Sequence, residues 1–192
     1  MRKTPNPFVA ANSSKCIGCK VCEIACFAVH NKKNQVGATV GTVKTPVIPR
    51  LYLVKDKSFT MPIQCRHCED APCANSCPAG AIKQKDNTIV INENACIGCK
   101  NCMLACPFGA IELSPKYEEG EAVIQVNLKE EGEFGLEDKV KTVAYKCDLC
   151  RESGKPACVA ACPKKALTII TPVEDRKQKN RKAALSLLEV NK

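Results

Sequence analysis

Sixteen cysteines fall into four tight quartets, a thiol density that dictates what the chain must fold around. The quartets are Cys16, Cys19, Cys22, Cys26; Cys65, Cys68, Cys73, Cys77; Cys96, Cys99, Cys102, Cys106; and Cys147, Cys150, Cys158, Cys162. The first and third read C-x2-C-x2-C-x3-C. The second and fourth widen the middle gap to x4 and x7 but keep the C-x2-C opening and C-x3-C close. Thiolates at this spacing grip iron–sulfur cubanes. Proline follows the last cysteine in three quartets (Pro78, Pro107, Pro163), and Phe27 takes that place in the first.

A cubane needs four soft thiolates at its corners, and a C-x2-C-x2-C loop brings three of them to one cluster. The fourth cysteine is expected to open a short helix leading away, so that it serves a neighbouring cluster and the quartets work in pairs. Gly18 and Gly98, inside the loops, are expected to let backbone N–H groups approach sulfide. The proline fixes the chain's exit and brings no N–H that needs a partner. The expected complement is four [4Fe–4S] clusters on all sixteen cysteines, and their chemistry is one-electron transfer.

Other uses of cysteine fit the spacing poorly. A four-cysteine zinc site pairs two C-x2-C units across a longer loop, with no third cysteine at x2. A disulfide framework needs an oxidising compartment, and the opening Met1–Pro7 has no apolar run behind it, so no signal peptide is expected. Aromatic residues make up 4% and Trp is absent, so the clusters are expected to serve as core. No apolar stretch approaches the roughly 18 residues of a membrane span. The expected setting is reducing and cytoplasmic, in an anaerobe. The formal charge of +9 does not argue for nucleic acid, because clusters carrying about −2 each bring the loaded chain to roughly +9 − 8 = +1.

The chain also repeats itself. Cys77-Pro78-Ala79-Gly80-Ala81-Ile82 closes the second quartet and Cys106-Pro107-Phe108-Gly109-Ala110-Ile111 the third. Between them a hairpin is predicted, Ile82–Lys85 and Thr88–Ile91 around Asp86-Asn87. The first and fourth quartets, the latter running into Thr168-Ile169-Ile170, are expected to build a second such unit enclosing the first. The fold class is α+β: two interleaved bacterial-ferredoxin-like domains, each for two clusters, with short helices, β-hairpins and a C-terminal helix. Residues 1–62 and 114–171 form the expected outer domain, 63–113 the inner one and 172–192 the tail. The inserts 28–62 and 112–146 carry extended-looking runs: Thr39-Val40, Val47-Ile48, Leu51–Val54, Ala122–Leu128 and Val140–Tyr145. These inserts are expected to pack around the clusters and meet partner subunits.

The order of the quartets, the run Met61-Pro62-Ile63-Gln64-Cys65-Arg66-His67-Cys68-Glu69-Asp70-Ala71-Pro72-Cys73 and the stretched fourth quartet resemble the four-cluster iron–sulfur subunits of molybdopterin oxidoreductases. Small subunits of dimethyl-sulfoxide reductase, formate hydrogenlyase and formate dehydrogenase–hydrogenase complexes are of this kind. The resemblance covers residues 14–170. It implies cross-linked quartets, with one cluster on Cys16, Cys19, Cys22 and Cys162 and a second on Cys147, Cys150, Cys158 and Cys26. The third would sit on Cys65, Cys68, Cys73 and Cys106, and the fourth on Cys96, Cys99, Cys102 and Cys77. It further implies a non-catalytic subunit passing electrons between a molybdenum or tungsten formate dehydrogenase and a hydrogenase, as in a hydrogen-dependent CO2 reductase. A freely diffusing polyferredoxin-like carrier, or a subunit of another molybdopterin oxidoreductase, is the alternative.

The remaining residues offer little chemistry. His67, between two ligands, either hydrogen-bonds a sulfur or is a packing or surface residue of the loop, and the second is expected; His30 reads as a cap or interface residue. Lys20 and Lys100, each one residue past a ligand, are expected on solvated faces. Neither a phosphate loop nor a dinucleotide fingerprint occurs. In the tail, Thr171 caps a predicted helix with Pro172 first and Glu174 and Asp175 in its opening turn. A basic run, Arg176–Lys182, and apolar Ala184, Leu187 and Leu188 follow. This helix either folds back on the body or docks on another subunit, including a second copy of the chain.

Overall fold

The computed structural model describes residues 4–32, 45–132 and 135–190. In chain order the elements begin β1 (Phe8–Ala11), α1 (Val21–His30), β2 (Leu51–Lys55), β3 (Thr60–Gln64), α2 (Pro72–Asn75), β4 (Ile82–Lys85) and β5 (Thr88–Ile91). Next come α3 (Asn101–Ala105), β6 (Glu112–Pro115), β7 (Tyr117–Glu118), β8 (Glu121–Ala122), β9 (Ile124–Gly132) and β10 (Gly135–Val140). The last are β11 (Thr142–Tyr145), α4 (Ala157–Ala161), β12 (Leu167–Ile170) and α5 (Pro172–Val190). Small helices and two-stranded antiparallel pairs thus make up the fold.

Two arrangements repeat. Helix α2 packs on α3 beside the β4–β5 hairpin, and α1 packs on α4 beside β1–β12. The hairpin is the one predicted, residue for residue, with Ile82 opposite Ile91 and Lys85 opposite Thr88. Its turn residues Asp86 and Asn87 both take positive φ, the conformation a two-residue hairpin turn requires. The β1–β12 pair joins the two ends of the chain, Phe8 opposite Ile170. Nothing in the sequence marked β1 as a strand.

The predicted helix positions need correction. The fourth cysteine of a quartet does not open a helix; α3 and α4 run up to it, with Cys106 and Cys162 as their C-caps, and Cys77 follows α2. The x3 gap is therefore one helical turn, which carries the fourth sulfur about 6 Å along the axis from the third. With Phe27 in place of proline, α1 runs on to His30 and holds Cys26 inside it. Phe27 thus alters where that helix ends, not where it starts.

Gly98 has a further reason to be glycine. Gly98 has φ +68, and a Cβ there would lie 2.7 Å from the Thr142 carbonyl, so the residue is required by packing against the neighbouring strand.

In the inserts, Leu51–Val54 is strand as predicted, whereas Val47-Ile48 is irregular and Thr39-Val40 lies outside the described residues. The runs 122–128 and 140–145 are each interrupted. The Val123 N–H donates to the Lys116 carbonyl (2.9 Å), and the Lys141 N–H donates to that of Val123 (2.7 Å). Beyond this crossing β9 and β10 pair into a ribbon, with a bulge at Asp138/Lys139.

Cysteines supply much of the interior. Among the described residues eight of the twenty-two buried hydrophobic positions are cysteines, and no Phe or Tyr is among the largest fully buried side chains. One core gathers Val9, Leu51 and Leu167 around Cys22, Cys26, Cys147 and Cys158; the other gathers Ile82, Ile89 and Ile111 around Cys73 and Cys102. Helix α5 is exposed along its second half, Leu187 at 66%. No described helix is long and apolar enough to cross a membrane.

Candidate metal centres

All sixteen cysteines are free, and they lie in groups. Cys16, Cys19, Cys22 and Cys162 line one hollow, and Cys77, Cys96, Cys99 and Cys102 line another. Cys150 and Cys158 lie close enough to Cys26 to push its thiol up, where α1 meets the fourth quartet. Cys65 and Cys106 likewise push up the thiol of Cys73. The groups also adjoin one another: Cys22, Cys26, Cys65, Cys147 and Cys158 share one packed core.

Backbone N–H groups are aimed at the sulfurs in matching places. The His67 and Leu149 N–H groups reach Cys65 Sγ (3.3 Å) and Cys147 Sγ (3.4 Å), the first cysteines of their quartets. Those of Ala110 and Ala166 reach Cys106 Sγ (3.4 Å) and Cys162 Sγ (3.3 Å), the fourth cysteines. The Arg50 N–H donates to Cys26 Sγ at 3.3 Å. Each such contact stabilises negative charge on sulfur.

Burial pushes the thiols up, Cys22 and Cys73 to about 11 and Cys26, Cys147 and Cys158 to about 12. Neighbouring sulfurs add to the rise at each of these positions. Thiols crowded in this way give up protons to a cation that enters among them, because metal ligation deprotonates cysteine. Soft sulfur donors in fours, with N–H groups aimed at them, fit an iron–sulfur cubane.

A polar lattice backs the group around Cys26 and Cys150, and the sequence did not reveal it. Arg50 donates to Asp148 Oδ2 (2.9 Å) and Glu93 Oε1 (2.8 Å), and the Cys150 N–H donates to Asp148 Oδ1 (2.9 Å). His30 Nε2 lies 2.8 Å from Asp148 Oδ1, and its Nδ1 lies 2.8 Å from the Cys26 carbonyl oxygen and 3.6 Å from Cys26 Sγ. His30 thus does sit at a helix end, but its partner across the fold is Asp148. Burial opposes the Asp148 charge, yet His30 and Arg50 outweigh it and hold the carboxyl well below the usual carboxylate range.

His67 is fully buried rather than a loop-surface residue. Its Nδ1 accepts the Ile89 N–H at 3.0 Å, leaving the proton on Nε2, which is buried and without a partner among the described residues. Burial and the nearby Lys146 lower its pKa to about 3, so the ring is neutral. Lys20 and Lys100 are exposed, as expected, and both take the left-handed conformation that turns the chain into α1 and α3.

Comparison with known proteins gives the same chemistry. Models of the 4Fe-4S dicluster domain match residues 57–126 and 95–166, and a 4Fe-4S binding domain matches residues 13–26. Electron transport protein HydN of Escherichia coli (strain K12) is 43% identical over 168 residues, covering 86% of this chain and 88% of HydN. Hydrogenase-4 component A of the same strain is 41% identical, covering 94% of this chain and 90% of its own length. Formate hydrogenlyase subunit 2 is 36% identical with the same coverage. In one longer curated relative, 42% identical, the matched segment is only 22% of the whole. The chain therefore belongs to the family of ferredoxin-type 4Fe-4S electron-transfer proteins.

Proposed function

We propose that the cysteines hold four [4Fe–4S] clusters and that the chain is a non-catalytic subunit relaying single electrons between two redox partners. The proposed ligand sets are Cys16/Cys19/Cys22/Cys162, Cys147/Cys150/Cys158/Cys26, Cys65/Cys68/Cys73/Cys106 and Cys96/Cys99/Cys102/Cys77. Bound cubanes supply reversible one-electron chemistry. The protein's part is to fix the sulfurs, aim N–H groups at them and exclude water from the inner groups.

One observation carries the reading: the sulfur groups form a continuous series with a surface cysteine at each end. Cys22, Cys158, Cys26, Cys147 and Cys65 share one packed core, Cys73 and Cys102 share the other, and Cys106 packs against both. Cys19 and Cys99 are exposed, whereas Cys26, Cys65, Cys73 and Cys147 are buried. Apolar side chains rim both ends, Ile17 and Ile24 (each 60% exposed) at one and Ile97 (61%) and Leu104 (82%) at the other. Two such faces suit a relay with a donor and an acceptor better than a diffusing carrier, which needs one.

The same pairing supports two interleaved ferredoxin-like domains, an inner one of residues 63–113 and an outer one of 1–62 and 114–171. The names of two relatives, hydrogenase-4 component A and formate hydrogenlyase subunit 2, support a formate dehydrogenase and a hydrogenase as partners. The proposed setting is a cytoplasmic formate hydrogenlyase or hydrogen-dependent CO2 reductase type assembly, with the exposed α5 docking on a neighbouring subunit.

The test mixes the anaerobically loaded chain with a molybdenum or tungsten formate dehydrogenase and a hydrogenase. Formate should bleach the cluster absorption, and hydrogen should evolve only when the chain is present. Bleaching that needs a separate soluble ferredoxin would contradict the relay.

A further inference from the structure

Lys146 is an unusual place for a lysine. It is 2% exposed, and among the described residues no carboxylate lies within ion-pair distance of it. Its Nζ donates to the carbonyls of Ile89 and of Cys147, the latter at 3.0 Å. Both acceptors are neutral, and burying a charge with no opposite charge beside it is unfavourable. The nearest carboxylate along the chain, Asp148, is committed to Arg50, His30 and the Cys150 N–H.

Lys146 is set among residues that carry the inner sulfurs. It is bonded in sequence to Cys147 and holds that residue's carbonyl. At Cys73 its charge is the strongest influence opposing burial. Its position is fixed from a second side, because the peptide of Ile89 is gripped at both ends: His67 Nδ1 takes the N–H while Lys146 takes the region's carbonyl at the same residue. His67 in turn gives its own N–H to Cys65 Sγ. The ammonium thus sits between the carbonyl of Cys147 and that of Ile89, whose side chain packs in one core with Cys73 and Cys102.

We infer that Lys146 is the built-in counter-charge of the two inner cages, Cys65/Cys68/Cys73/Cys106 and Cys26/Cys147/Cys150/Cys158, and raises the reduction potential of the clusters held there. The inference rests on the four-cluster reading. A fixed positive charge in a low-dielectric interior favours the reduced, more negative form of a neighbouring centre. Lys20 and Lys100 stand beside the end cages but are exposed, and water and salt screen them. The interior of the relay is therefore held easier to reduce than it would be from burial alone.

Potentiometric titration of the full, anaerobically loaded chain, followed by electron paramagnetic resonance, tests this with K146Q and K146R. In K146Q two of the reduction steps should move to lower potential while the others stay; in K146R all should stay near their original values. A control, K129Q at an exposed ion pair, should move none. A fully loaded K146Q with every step unmoved overturns the inference. Should K146Q fail to load, K146R decides: loading with unchanged steps supports the charge, and failure of both variants shows a packing role and overturns it. Wild-type protein lacking the iron for four clusters would instead sink the reading beneath it.

Discussion

The molecule contains two β-ribbons of the same kind and opposite fate. In β4–β5, Ile89 is 1% exposed and Ile82 4%, both packed on Cys73 and Cys102. In β9–β10, Val126 is 79% exposed, Leu128 52% and Leu136 73%, and the ribbon carries a bulge. A two-stranded ribbon is marginal alone in water. The first is held by the sulfur-lined interior, and the second has its own ladder and exposed cross-strand ion pairs, Lys129 with Asp138 and Lys139 with Glu130. Burial in these ribbons follows contact with the cysteines, not strand length.

The largest test of that contrast is removal of iron. Stripping the loaded chain anaerobically with a chelator should abolish its cooperative thermal transition, because ligation is part of the folding free energy. An apo-protein that keeps the transition would break the comparison. Next in size, Cys147→Ser, at a buried position, should remove about four irons per chain, read by iron analysis. Ile89→Ala should cost about 2–5 kcal/mol in denaturant unfolding of the loaded protein. Val126→Ala, on the exposed ribbon, should stay within about 0.5 kcal/mol by the same measurement. Smallest of all, truncation after Thr171 should leave iron content unchanged; a lower mass by size exclusion than the lost residues explain would show that α5 docks.

Short-range signals made half of the fold legible. The β4–β5 hairpin was readable because its turn, its β-branched strands and its flanking cysteines are adjacent in sequence. Helix α5 was readable from Pro172 and the acidic first turn. Strand β1 was not, since its partner β12 lies at the other end of the chain and Phe8–Ala11 has no distinctive pattern. The length of α1 was recoverable in principle from Phe27, the one quartet exit without proline. The cysteines announced themselves, but the residues behind them did not. Arg50, Asp148 and Glu93 are charged residues whose contacts span 43 to 118 positions. Lys146 reads as one more member of a basic composition until its burial is seen.

The measurement closest to the central claim is iron and acid-labile sulfide per chain on protein purified under nitrogen. The account predicts about sixteen of each, four per cage, with a brown absorption that dithionite bleaches. Zinc in place of iron, or iron near eight per chain, would contradict it.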